Sequence, residues 1–345
     1  NIPAVGSISI TLDALSTETR VSFRDDLAED EFRLSGAPAE ATRVSAFLDL
    51  VRTRAGIRHR AAVESSNDFP TGAGLASSAS GFAALAVAAS AAAGLSLSER
   101  ELSILARRGS GSAARSLFGG FVELHAGIRD DGGDSFAEPL LPAAEWPLSV
   151  VVAITETGQK DVNSTVGMGE SSLSSPFYRS WVDTAETDLA GMRAAIAARD
   201  FERVGELAEY SCLKLHALML STRPALLYWN AATVAAIHAV RELRGSGIPV
   251  YFTIDAGPQL KALCPPEHAI VVAEALGRLS GVHETRISAL GRGARLLPGW
   301  RFRPRPPASC SYSANKRCST GRLRCWRGST ARWTSRPASV WSPVI

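Results

Sequence analysis

No stretch of this 345-residue chain stays apolar for the ~18–20 residues that a membrane span needs. The nearest candidate, residues 81–95, is mostly alanine, too short and too weakly hydrophobic. The first residues carry no signal-peptide pattern. Cysteine is scarce. Cys212 and Cys264 lie in the main body, and Cys310, Cys318 and Cys325 lie near the end. Two distant cysteines make no disulfide framework, and no pair has zinc-site spacing with histidines, so they suit a reducing cytosol. Acidic residues are missing from 301–345, which holds ten of the 37 Lys and Arg and none of the 34 Asp and Glu. The formal charge of +3 is therefore misleading, because residues 1–300 carry 27 basic against 34 acidic side chains, a net of −7. That balance gives no reason to expect a nucleic-acid partner, and the absent spans give none to expect a membrane.

What is present is the composition of a globular protein, 46% hydrophobic and 21% charged. The length allows one large domain or two ordinary ones. The chain is organised around Pro70–Phe82, reading P-T-G-A-G-L-A-S-S-A-S-G-F. Gly72 and Gly74 allow a tight bend and close approach to a ligand. An alanine-rich helix follows, over residues 75–93. A Gly/Ser loop feeding a helix start aims N–H groups at one spot, with the positive end of the helix dipole behind them. The predicted phosphate-binding residues are Gly72, Ala73, Gly74, Leu75, Ser77 and Ser78. The glycines and serines alone fit a tightly packed core helix equally well. No Lys follows the glycines, so this is not a G-x-x-x-x-G-K-[ST] loop.

A second stretch, Arg107–Gly120, reads R-R-G-S-G-S-A-A-R-S-L-F-G-G, and a third, Asp255–Pro258, reads D-A-G-P. With the P-T-x-A-G-L-A-S-S-A loop, the three in this order resemble the GHMP family of small-molecule kinases, in its diphosphomevalonate decarboxylase branch. The resemblance spans roughly residues 1–297. It implies an α+β, two-lobed fold. Residues 1–147 are expected to form an ATP-binding lobe and 148–298 a lobe of helices on an antiparallel sheet. It also implies ATP and Mg2+ as cofactors, diphosphomevalonate as substrate, a homodimer and a cytoplasmic location.

Mevalonate-type kinases carry an Asp shortly after the second motif, where this chain has Ala113 and Ala114. The decarboxylase branch places the acid in D-A-G-P, so Asp255 is the expected base. Arg115 is the expected anion holder; standing alone after a Gly/Ser turn it reads equally as a surface arginine. Ser110, Gly111, Ser112 and Lys214 complete the expected substrate site, and Lys160, Ser164 and Thr165 could line its entrance. Relatives place an N-I-A-x-x-K-Y-W-G-K segment before the point where this sequence starts, so the chain is expected to be truncated there. The implied reaction is ATP-dependent decarboxylation. A 3-kinase, a monophosphate decarboxylase and a non-catalytic relic stay open as alternatives.

Patterning predicts strands over residues 7–12, 19–23, 32–35, 61–65, 120–125, 148–155, 247–257 and 285–297. It predicts helices over 39–52, 98–108, 177–199, 200–220, 225–243 and 268–279. Ser98 with Glu101 reads as a capping box. His216, alone among apolar neighbours, reads as a core residue. The basic tail, 299–345, is expected to be irregular. It reads either as a basic aromatic arm or as a segment not selected for folding, such as a frameshift product, and the second is the expectation.

Overall fold

The computed structural model describes residues 2–69, 75, 77–158, 162, 164–297 and 330–335. Among the described residues, three sheets and the helices on them make up two lobes.

The first lobe is built on β2 (Thr17–Arg24) and β5 (Arg60–Asn67), which pair antiparallel over eight residues. Alternate residues of β2 are buried, as a half-covered strand requires. On one side lie β3 (Glu31–Leu34), parallel to β5, and β4 (Ala37–Pro38). On this sheet pack α1 (Thr42–Ala55), α2 (Ser77–Ala92) and α3 (Glu99–Gly109). Helix α2 is buried almost all round from Ala79 to Ser90. Its alanines keep the helix favourable while letting sheet and neighbouring helices approach closely. The expected capping box of α3 is present, with Ser98 and Glu101 each satisfying the other's backbone N–H.

A smaller antiparallel sheet joins β1 (Ser7–Ile10), β6 (Phe121–Leu124) and β7 (Ala137–Leu141). The second lobe carries the antiparallel order β11–β8–β10–β9. These strands are Glu284–Ala289, Ser149–Ile154, Leu260–Cys264 and Tyr251–Ile254. Strand β8 is apolar from Val150 onward and buried along its whole length, as a strand covered on both faces requires. Val150, Val152 and Ile154 face the core shared with β1 and β6, whereas Val151 and Ala153 face the helices. Those helices include α6 (Phe201–Leu220), α7 (Ala231–Gly245) and α8 (Ala269–Gly277). Helices α4 (Ser164–Ser174) and α5 (Tyr178–Ala198) complete the lobe. The shared core joins Ile8, Ile10 and Phe121 of the first lobe to Val152, Leu189 and Met192 of the second.

The α5–α6 junction falls where the sequence put it. Arg199 takes a left-handed conformation, φ 54°, and Asp200 caps α6 through Arg203 N–H. Helix α7, by contrast, starts at Ala231 rather than 225, because the Asn230 side chain caps it. Strand β9 is shorter than 247–257. Ile248 N–H instead satisfies the Leu243 carbonyl at the end of α7.

The expected strand 285–297 splits. After β11 the chain recrosses to the first lobe at Leu290, which bridges Leu12, and runs as β12 (Arg295–Leu296). Gly291 permits the crossing, since a Cβ there would lie 2.8 Å from Leu12 backbone. The second lobe therefore ends near 290 rather than 298. Within the tail, β13 (Thr330–Ser335) pairs antiparallel with β2 and with β12. These six residues are not irregular, because the edge of β2 away from β5 offers unpaired backbone groups that a strand satisfies. No described helix is long and apolar enough to cross a membrane.

Candidate active site

The start of α2 and the end of α3 meet in the first lobe. Ser77 and Ser78 open α2, and Ser110 links α3 to a 3-10 turn, Gly111–Leu117. Ser78 Oγ lies 3.3 Å from Ser110 Oγ, which lies 3.3 Å from Ser112 Oγ. The two motifs, distant in sequence, thus present one row of hydroxyls, with Gly111 half-buried within it. Gly72, Ala73 and Gly74, and Lys160 further on, lie outside the described residues. Phe69 and Leu75, on either side of residues 70–74, both sit in the shared core. The Leu75 side chain is therefore an anchor, 2% exposed. Its apolar side chain gains more from burial than it could offer a phosphate.

The 3-10 turn points inward, burying Ala113, Ala114, Arg115 and Ser116. Arg115 is fully covered and donates from Nη1 to Ser7 Oγ on β1. The sequence alternative of a surface arginine is excluded. Burial lowers its pKa to about 9, against the pull of Asp255, which raises it. The guanidinium thus stays charged at neutral pH.

Asp255 arrives from the second lobe, one residue past β9, and is 6% exposed. The turn carrying it is pinned. The Pro258 carbonyl accepts Thr155 Oγ1 at 3.1 Å and Thr233 Oγ1 at 2.6 Å, and Gln259 Oε1 accepts Thr155 N–H at 2.6 Å. Lys261 Nζ on β10 reaches Asp255 Oδ2 at 2.6 Å. His216 and Cys212 on α6 both bond the Ile254 carbonyl. Burial pushes the His216 pKa down to about 4 and the Cys212 thiol up to about 12. Both are uncharged at pH 7, and His216 is the core residue that the sequence implied, with its ring 4.6 Å from that of Trp229.

Lys214 is not brought to this cluster. It lies at the α5–α6 contact, ion-paired to Asp188 and 2.7 Å from Thr184 Oγ1. Residues 212, 214 and 216 cannot share a helix face at about 100° per residue. Ser164 and Thr165 open α4, where Thr165 is exposed. Sequence reasoning missed Ser7, Thr155 and Lys261. Only Lys261 left a signal, a cation inside the apolar run L-K-A-L-C.

Among the described residues no group of three or more His, Cys, Asp and Glu is placed to hold a metal. The Ser78, Ser110 and Ser112 hydroxyls stand in one row as donors of the kind a polyphosphate accepts from. Magnesium would then be held by phosphate oxygens with a hydroxyl rather than by a carboxylate cluster.

Fold and site together define a two-lobed α+β protein of the GHMP-kinase type, with a row of hydroxyls on the first lobe and a buried carboxylate on the second. Family models match nearly the whole described body. A diphosphomevalonate decarboxylase-like N-terminal domain matches residues 1–137, and a mevalonate 5-diphosphate decarboxylase C-terminal domain matches 150–290. The chain belongs to the diphosphomevalonate decarboxylase family.

Relatives agree. The human diphosphomevalonate decarboxylase is 37% identical, over 74% of this chain and 69% of its own length. A phosphomevalonate decarboxylase of Haloferax volcanii is 35% identical, over 86% of this chain and 90% of its own. Among solved structures, mevalonate diphosphate decarboxylase from Staphylococcus aureus superposes with a TM-score of 0.79 at 39% identity, covering 85% of this chain and 89% of that one. MDDEF in complex with MVAPP, AMPPCP and magnesium gives 0.79 at 42%, covering 85% and 90%.

Proposed function

We propose that this chain catalyses the ATP-dependent decarboxylation of (R)-5-diphosphomevalonate. The products are isopentenyl diphosphate, ADP, phosphate and carbon dioxide. A tertiary hydroxyl is a poor leaving group. Transfer of the terminal phosphoryl of ATP converts it to phosphate, and loss of carbon dioxide then supplies the electron pair of the new double bond.

Asp255 accepts or orients the proton of the reacting hydroxyl. Arg115, beneath the surface, supplies fixed positive charge to the negative charge that develops. Ser110 and Ser112 hold substrate phosphate, and Ser77, Ser78 and the start of α2 hold the nucleotide phosphates. Bound magnesium neutralises those phosphates. A cytoplasmic homodimer completes the reading, and sedimentation of the purified chain checks its stoichiometry.

The observation that carries the proposal is the buried Asp255 carboxylate one residue past β9, held 2.6 Å from Lys261 Nζ. The test is coupled ADP release with diphosphomevalonate. Asp255→Ala should lower turnover about 10²–10⁴-fold while calorimetry still detects ATP binding. Unchanged turnover rejects the assignment.

A second reading rests on the Haloferax volcanii relative, which covers as much of the chain as any other reported above. It makes the monophosphate the substrate. Carbon dioxide release with mono- against diphosphorylated mevalonate decides between the two.

A further inference from the structure

On the reading that Asp255 is the base, we propose that Lys261 is its positioning residue, fixing the carboxylate's orientation and keeping it ionised. Lys261 Nζ lies 2.6 Å from Asp255 Oδ2, and the two side chains are 3% and 8% exposed. The sheet sets this geometry. Lys261 stands directly opposite Thr253, and side chains two apart along a strand share a face, so Lys261, Thr253 and Asp255 rise from one side. Lys261 lines a small cavity together with Ile10, Val150 and Leu263.

Among the described residues, charged and titratable groups reach Asp255 from three packed elements. Lys261 comes from β10 and Arg115 from the 3-10 turn, and both are cations. His216 and Cys212 come from α6, and both are neutral near pH 7. A carboxylate this deeply buried would be driven toward its protonated, non-basic form by desolvation. An ammonium at hydrogen-bond distance opposes that drift. It also fixes rotation of the carboxylate, so the second oxygen keeps one direction. In a base that must meet a single hydroxyl, that orientation is part of the rate.

The experiment compares the full chain with Lys261→Met, Lys261→Arg and Asp255→Asn by coupled ADP release across pH 4–9. Lys261→Met should lower kcat about 10²-fold and move the acid limb of kcat/KM up by about 1–3 pH units, with KM for ATP unchanged. Lys261→Arg should return the limb to its wild-type place. A Lys261→Met variant with wild-type kcat and limb, changed only in stability, overturns the inference and leaves a merely structural ion pair.

Should Lys261→Met not fold, carbon-13 titration of the wild-type Asp255 carboxyl, assigned with Asp255→Asn, still decides. A midpoint at or below ~3.9 supports the role, and one above it overturns it. Asp255→Asn with full turnover rejects the underlying reading. Asp255→Asn without turnover, beside an unaltered Lys261→Met, rejects this inference alone.

Discussion

Ser78 Oγ and Ser110 Oγ lie 3.3 Å apart across 32 residues of sequence, one at the start of α2 and the other at the end of α3. The contact makes a single hydroxyl row out of two motifs. A row of this kind contributes to binding only when an anion accepts its hydrogen bonds. Each bond to a charged acceptor is worth about 1.5–3 kcal/mol. Ser110→Ala and Ser112→Ala should therefore lower kcat/KM for diphosphomevalonate about 10–100-fold, and Ser78→Ala should do the same for ATP. Steady-state kinetics with each substrate varied in turn checks the division. Equal effects on both substrates would remove it.

Arg115 separates function from stability. Its charge is held in the interior against a desolvation cost, and Asp255 keeps Lys261 when Arg115 is lost. Replacing a buried ion pair as a whole with apolar side chains is often neutral, and removing one charge is costly where it leaves its partner uncompensated, which Lys261 prevents at Asp255. Arg115→Met should fold with a stability within about 1–2 kcal/mol of wild type, yet lose turnover about 10²-fold or more. Urea unfolding alongside the ADP assay reads both quantities. A collapse of stability with residual activity intact would contradict the assignment.

His216 makes acid stability testable. Its folded pKa lies near 4, below the ordinary 6.5, because burial disfavours the charged ring. The unfolded chain therefore binds this proton first as pH falls. The contribution of the neutral ring is present above pH 6.5 and is lost between 6.5 and 4, by up to ~3 kcal/mol. His216→Gln should flatten the decline in that window relative to wild type. Parallel stability–pH curves would show that His216 does not drive it.

Lys214 should prove to be a structural tie. It is paired with Asp188 between α5 and α6, with side chains 19% and 13% exposed. Lys214→Met should lower the denaturation midpoint while leaving KM for diphosphomevalonate within about threefold, since it lies on another face of α6 from the residues beside Asp255. A large rise in KM would return it to the substrate site.

Gly120 tests the packing between β6 and β7. Its φ is 72°, and a Cβ there would lie 2.2 Å from the Leu141 carbonyl oxygen. Gly120→Ala combines backbone strain with a clash and should cost about 2–4 kcal/mol. Thermal unfolding measures it, and a loss below about 0.5 kcal/mol would mean that the backbone adapts.

Elements whose signals are local were legible before folding. The Ser98–Glu101 capping box, the Arg199–Asp200 junction and the doubly covered strand β8 each rest on neighbours within a few residues. Elements set by distant partners were misread. The run 285–297 looks continuous, yet breaks at Leu290, where the chain meets Leu12 and crosses back to the first lobe. The tail shows no periodicity, yet residues 330–335 join β2, because strand pairing depends on an available edge more than on side-chain pattern.

The sequence by itself determined the family, through three ordered motifs, and with it the residue types of the site: hydroxyls, one arginine and one carboxylate. Only the tertiary structure decided where they stand and what surrounds them. It put the Leu75 side chain and Arg115 in the interior, took Lys214 away to Asp188, and set Lys261 against Asp255. The reason is that residue identity fixes which chemistry is possible, whereas burial and charge contacts between groups far apart in the chain fix ionisation and direction, and these exist only once the sheets have packed.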